Sequence, residues 1–149
     1  MVTEIHHTSF TVSDMERSIS FYKDILGMEM VWDSYREGIP INGPVADNLT
    51  ECPGADLRIV FISGGGGLIE LIQYTPPGKP QGDDKAGDTG NVHVAFRIAD
   101  MQSFYQKLLA SGTRVHCEPQ NVGTGKVIYF RDPDGIVLEA VEGKLILEE

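Results

Sequence analysis

Two histidines and two glutamates carry the chemistry this sequence could perform. His7 opens "HTSFTVSDM" and His93 opens "HVAFRIADM", and at a constant offset of 86 residues Phe10 meets Phe96, Val12 meets Ile98, Asp14 meets Asp100 and Met15 meets Met101. The same offset leaves His6 opposite the apolar Val92, so His7 is the histidine of interest. Glu70 interrupts the apolar run "GLIELIQ", and Glu139 interrupts "GIVLEAVE". A carboxylate among apolar neighbours is costly to bury unless it is paired or bound to a metal. Taken singly, each residue has an ordinary alternative: a hydrogen-bonded sheet histidine, or a glutamate turned to water from the open side of a sheet. Taken together, two neutral imidazoles and two carboxylates balance one divalent ion, and six-coordination keeps positions open for water or substrate. A closed structural zinc site would more often contain thiolates.

The elements that must position these residues repeat as well. Met15, Ile19, Tyr22 and Leu26 share a helical face, Ser13 with Glu16 has the spacing of a capping box, and Gly27 suits a left-handed C-cap. This predicts a helix from Asp14 to Leu26. A second helix follows Asp100, with Met101, Phe104, Tyr105, Leu108 and Leu109 on one face, and stops at Gly112. Period-two alternation marks "HVAFRI" and the segment around Phe10 as strands. Further strands are predicted at "MEMVW", "LRIVFIS" and "LIELIQY", then at "TRVHC", "KVIYF" and "IVLEAVE". Each half therefore reads strand, helix, three strands. Such a unit exposes an apolar sheet face, and pairing with its twin about an approximate twofold axis completes a core.

The connections read differently. The glycine run Gly64 to Gly67 lies between two strands and reads as a hairpin tip, not a phosphate cradle. "DPDG", Asp132 to Gly135, reads as a type I turn; it lacks the remaining ligands of a calcium loop. Residues 75–90, rich in Pro, Gly and Asp, read as a mobile linker that could double as a lid. The stretch "SYREGIPINGPVADNLTECPGAD" reads as a long irregular excursion.

A chain of 149 residues suits one compact domain or two half-size modules sharing a core. No run approaches the roughly 18 apolar residues of a membrane span, and the N-terminus lacks the pattern of a signal peptide, so a cytoplasmic location is expected. With 12 basic against 22 acidic residues the net charge is −10, which argues against nucleic acid or an anionic membrane as partner. Cys52 and Cys117 lack metal-knuckle spacing and read as reduced, buried, small hydrophobes.

With "HHTSFTVSDMERSISFYKDILGM", "LIELIQY", "HVAFRIAD" and "YFRDPDGIVLEAVE" in view, the chain resembles the vicinal oxygen chelate superfamily over essentially its whole length. That superfamily includes glyoxalase I, methylmalonyl-CoA epimerase, extradiol dioxygenases and bleomycin or fosfomycin resistance proteins. The resemblance implies an α+β fold of two tandem βαβββ modules, forming a curved sheet around a metal-binding cleft. It implies a single domain over 1–149, with one module at about 1–75, a linker at about 76–90 and a second module at about 91–149. It implies a homodimer acting on a small-molecule substrate. It carries the metal ligands over to His7, Glu70, His93 and Glu139, a set similar to that of the glyoxalase I and epimerase branches, holding one divalent ion (Ni, Co, Zn, Mn or Mg).

The activity so implied is a lyase, isomerase or epimerase that removes a proton next to a carbonyl of a small thioester, hemithioacetal or hydroxy-carbonyl substrate. Glu139 is the expected general base by resemblance, with Glu70 as ligand and second acid. Arg97 and Tyr129 are weaker candidates for substrate contact, and Glu51 is weaker still. Two other classes stay open: an extradiol-type dioxygenase using two histidines and one carboxylate on Fe(II), and a resistance-type module that binds a drug or metabolite without chemistry.

Overall fold

An aspartate caps each of the two long helices. In the computed structural model, which describes residues 1–80, 82 and 84–145, β1 (Thr8–Thr11) leads into α1 (Met15–Asp24), and Asp14 accepts the Arg17 amide hydrogen bond at 3.0 Å. The Ser13 cap expected from sequence is therefore displaced by one residue. Ser13 Oγ instead accepts from the Arg17 guanidinium, and Glu16 pairs with Arg58. The equivalent pair in the second half is β5 (Val94–Arg97) and α3 (Met101–Ala110), where Asp100 accepts from the Ser103 amide at 3.0 Å.

The chain separates into two compact units, 1–80 and 81–149. In the first, α1 is followed by β2 (Glu29–Asp33), α2 (Gly43–Thr50), β3 (Asp56–Gly64) and β4 (Gly67–Thr75), with sheet order β1-β4-β3-β2. In the second, α3 is followed by β6 (Gln120–Val122), β7 (Gly125–Arg131) and β8 (Val137–Glu142), with sheet order β5-β8-β7-β6. The fold is α+β, with two four-stranded sheets of the same order, and the duplication read from the offset is present in the sheets and their long helices, with α2 confined to the first unit among the described residues. In each sheet the first strand lies parallel to the last, and the other pairings are antiparallel.

Each unit buries its own apolar set. Phe10, Met15, Tyr22, Ile62, Ile69 and Leu71 are buried in the first, and Met101, Leu108, Ile128, Phe130, Leu138 and Ala140 in the second. Ile69 and Leu71 on either side of Glu70, and Leu138 and Ala140 on either side of Glu139, are buried, as alternation about the two glutamates demands. The glycine run forms the β3–β4 turn, with Gly65 and Gly66 both at positive φ. "DPDG" is a turn closed by the Gly135 amide on the Asp132 carbonyl at 3.0 Å, and Asp132 Oδ1 accepts from the amides of Asp134 and Ile136.

Three expectations need correction. The irregular excursion contains α2, whose Pro44 sits in the first turn, where a missing amide hydrogen is harmless. "TRVHC" forms only an isolated bridge between Val115 and Phe130; the fourth strand of that sheet is β6, further along the chain. Cys52 and Cys117 are exposed instead of buried. The segment 75–90 contains a hydrogen-bonded turn, Asp88 to Lys85, and the Asp84 carbonyl accepts from buried Arg131. No helix among the described residues is long and apolar enough to cross a membrane.

Candidate metal centre

His7 immediately precedes β1, and the ladder sets Ser9 opposite Glu70 on β4. Residues two apart share a face of a strand, so His7 and Glu70 lie diagonally on one side of the sheet. His7 Nε2 stands 3.4 Å from Glu70 Oε2, with the glutamate side chain only 13% exposed. The other ring nitrogen, Nδ1, is 2.8 Å from His6 Nδ1. Phe61, directly across from Glu70 on β3, meets the His7 ring edge-on at 5.5 Å, and Trp32 lies 6.0 Å beyond it.

The second unit repeats this arrangement with different side chains. His93 precedes β5, Ala95 is opposite Glu139 on β8, and His93 Nε2 is 2.9 Å from Glu139 Oε2. Across from Glu139 stands Tyr129, its ring 5.0 Å from that of His93 and its hydroxyl 3.4 Å from His93 Nε2. Burial, and next the Glu139 carboxylate, push the Tyr129 phenol above its ordinary 10.0, so it stays protonated at neutral pH. The first unit has a phenyl ring where the second has a phenol.

The spacing of each pair suits a shared ion. Two donors bound at adjacent octahedral positions, each roughly 2.1 Å from the ion, lie about 3 Å apart. The pairs at 3.4 and 2.9 Å straddle that separation. Neither unit gathers three or more His, Cys, Asp or Glu side chains among the described residues. Each unit thus supplies one imidazole and one carboxylate.

A second duplicated device lies on the reverse face. Three residues past each glutamate, Gln73 Oε1 accepts from the Met15 amide at 2.8 Å, and Glu142 Oε2 accepts from the Met101 amide. The strand that carries each site glutamate therefore also anchors the first turn of its helix, satisfying an amide that the helix leaves unpaired.

The weaker candidates divide. Tyr129 joins the His93–Glu139 pair, but Arg97 donates to the Gly143 carbonyl, and Glu51 is an exposed helix terminus in left-handed conformation. Sequence reasoning passed over Phe61 and set His6 aside as opposite an apolar residue. It also passed over His116, which lines a hollow of ≈ 430 Å³ in the second unit together with Tyr129 and Glu139. Taking the residue paired across the hairpin with each strand glutamate, instead of applying one offset, would have aligned Phe61 with Tyr129; the offset of 86 no longer holds there because the first unit carries the longer connection, with α2, between its long helix and its hairpin.

Comparison with known proteins identifies the family and the fold. The family model described as Glyoxalase/Bleomycin resistance protein/Dioxygenase superfamily matches residues 4–140. A metallothiol transferase FosB from Shouchella clausii is 32% identical over 149 residues, covering 97% of this chain and 84% of the relative. A lactoylglutathione lyase from Haemophilus influenzae is 29% identical over 147 residues, covering 95% and 93%. A solved glyoxalase family protein from Bacillus cereus superposes with a TM-score of 0.81 at 20% identity, covering 95% of both chains, and so supports the fold alone.

Proposed function

Because the chain belongs to the glyoxalase/bleomycin resistance protein/dioxygenase superfamily, we propose that its two units act as one domain in which His7, Glu70, His93 and Glu139 hold a single divalent ion, Ni, Co, Zn, Mn or Mg. The reaction we assign is removal of a proton next to a carbonyl of a small thioester, hemithioacetal or hydroxy-carbonyl, by an enzyme of the lyase, isomerase or epimerase type. The observation that carries this reading is the duplicated His–Glu spacing, 3.4 Å in one unit and 2.9 Å in the other. When bound, the ion supplies Lewis-acid polarisation of the substrate oxygen.

The protein's own groups divide the remaining work. Glu139 accepts the proton from the carbon, and the bonding pair is delocalised toward the carbonyl oxygen. His93 would hold the ion beside Glu139, and Tyr129, whose hydroxyl lies 3.4 Å from His93 Nε2, borders that side of the pair. Return of the proton from Glu139 to the neighbouring carbon gives isomerisation. Delivery from Glu70, which must carry a proton for this step, to the opposite face of the same carbon while Glu139 keeps the proton it took would give epimerisation. Glu139, and not Glu70, is the assigned base by resemblance to the corresponding acid of the family, and Tyr129 stands beside its partner His93 where the first unit has Phe61.

Solvent deuterium exchange tests the assignment. Metal-loaded protein is incubated in D2O with the hemithioacetal of methylglyoxal and glutathione, and separately with methylmalonyl-CoA. Deuterium should enter one of them, and Glu139→Gln should slow entry by roughly 100-fold or more, within the range of general-base catalysis. Equal exchange by Glu139→Gln would remove Glu139 from the role. Absence of both exchange and metal-induced stabilisation would leave the superfamily's binding-module reading in its place.

A further inference from the structure

The second unit holds a histidine outside the proposed ligand set whose tautomer its surroundings dictate. Arg131, only 6% exposed, donates from Nε to His116 Nε2 at 2.9 Å, while its other nitrogens donate to the carbonyls of Gly135 and Asp84 at 2.7 and 2.9 Å. A guanidinium can only donate. His116 Nε2 must therefore offer a lone pair, and the proton of the neutral ring resides on Nδ1. No group among the described residues accepts that proton.

The ring is also held in place. The His116 amide donates to the Tyr129 carbonyl at 2.9 Å, and the two rings lie 5.9 Å apart. His116, Tyr129 and Glu139 line the ≈ 430 Å³ hollow together with the apolar Val122, Val127 and Leu145, a volume within the roughly 300–1,000 Å³ of small-ligand sites. The corresponding place in the first unit is taken by Trp32 beside Phe61, which leaves that side apolar. Burial first, then Arg131 and Arg114, push the His116 imidazolium below its ordinary 6.5, in keeping with a neutral ring.

We propose that His116 is a substrate-binding residue: its Nδ1–H donates to an oxygen of a small hydroxy-ketone or keto-acid whose apolar end rests on Val122, Val127 and Leu145. This rests on the reading of Glu139 as part of the reaction centre, and it narrows the substrate class to compact oxygen-bearing molecules. Arg131 acts as a positioning residue, holding the ring so that the donor is set before substrate arrives. The free energy of orienting that donor is then contributed by the fold, not by the ligand.

Two measurements test this on zinc-loaded protein, with hydroxyacetone as the probe. Long-range proton–nitrogen NMR should show His116 with a protonated Nδ1 and a bare Nε2, and hydroxyacetone should shift the Nδ1 signal. His116→Gln keeps an acceptor for Arg131 but lacks the Nδ1 donor, and it should weaken hydroxyacetone binding about tenfold, the effect of one hydrogen bond. His116→Asn, whose amide nitrogen lies near the Nδ1 position, should retain most of the affinity. Thermal melts of both variants confirm that they are folded.

A bare Nδ1 in the wild type overturns the proposal. So does a His116→Gln variant with undiminished affinity while hydroxyacetone still shifts the His93 signals, a result that leaves the metal-centre reading standing. If hydroxyacetone shifts neither His93 nor His116, the proposal falls together with a hydroxy-carbonyl substrate. The deuterium exchange of the larger thioesters then decides the broader reading separately.

Discussion

Removing the Arg58 guanidinium should destabilise the protein more than removing its carboxylate partner, although both form the same ion pair. Arg58 donates to Asp33 through Nε at 3.2 Å and Nη2 at 2.8 Å, and to Glu16 through Nη1 at 2.6 Å. The Asp33 side chain is fully buried, Arg58 is 15% exposed, and Glu16 is 74% exposed. In Arg58→Met, Glu16 returns to water at little expense. Asp33 is left as a buried anion with the Tyr35 amide at 3.0 Å and Arg36 at 3.7 Å, the latter 70% exposed and so competed for by water. Breaking a buried pair from one side costs about 3–5 kcal/mol, a fall in Tm of roughly 6–20 °C for a chain of this size. In Asp33→Asn, by contrast, Arg58 keeps Glu16 and the face of Tyr35 at 5.1 Å, and the expected loss is about 2 kcal/mol.

Urea titration followed by the fluorescence of Trp32, the sole tryptophan, reads these values directly because the residue adjoins Asp33. The double variant should be more stable than the sum of the single losses by at least roughly 1 kcal/mol, since no charge is then orphaned. The pH dependence has a fixed sign. The Arg58 hydrogen bond, outweighing burial, holds Asp33 below its ordinary 3.8. The stabilisation is therefore complete above that value and is lost as pH falls through the folded-state pKa. The gap between wild type and Asp33→Asn should be constant from pH 7 to 5 and shrink below about pH 4. An Arg58→Met variant within about 1 kcal/mol of wild type at pH 7, or a gap that widens between pH 4 and 3, would refute the reasoning.

Saturating Co or Zn at a hundredfold over its Kd should raise Tm by roughly 5–11 °C, equivalent to about 2.7 kcal/mol. His93→Ala should abolish most of that rise in calorimetric scans. Gly125→Ala should destabilise by about 1–3 kcal/mol in urea, because an added Cβ would lie 2.7 Å from the Glu142 carbonyl and 2.9 Å from that of Lys144. Ser18, fully buried with a hydroxyl that finds no hydrogen-bond partner among the described residues, should tolerate alanine; Ser18→Ala is expected to leave stability unchanged or to raise it by up to about 1 kcal/mol, and a loss of about 2 kcal/mol would show that the hydroxyl is satisfied in solution.

The two long helices and most strands were legible in the sequence because their signals are local: a period of 3.6 from Met15 and from Met101, and period two around Phe10 and Phe96. The His–Glu pairing in each unit was legible for a different reason, since duplication makes a sequence comment on itself. What failed depended on competition between groups. Ser13 and Asp14 both qualify as caps, and the choice went to Asp14 because Arg17 and Arg58 engage Ser13 and Glu16. "TRVHC" has the composition of a strand, yet it reaches β7 through one bridge while the weakly patterned Gln120–Val122 supplies the ladder. The partnership of Arg131 with His116 spans two elements and leaves no periodic trace at all.

His7 and Glu70, like His93 and Glu139, meet through neighbouring parallel strands although the chain makes a long detour between them. The backbone ladder alone sets their spacing, so the detour is free to grow or shrink. The first unit inserts α2 there, and the second has no counterpart among its described residues. Excursions of different length can thus be accommodated while the His–Glu pairs keep their register. Chemistry and recognition are written in separable stretches of chain.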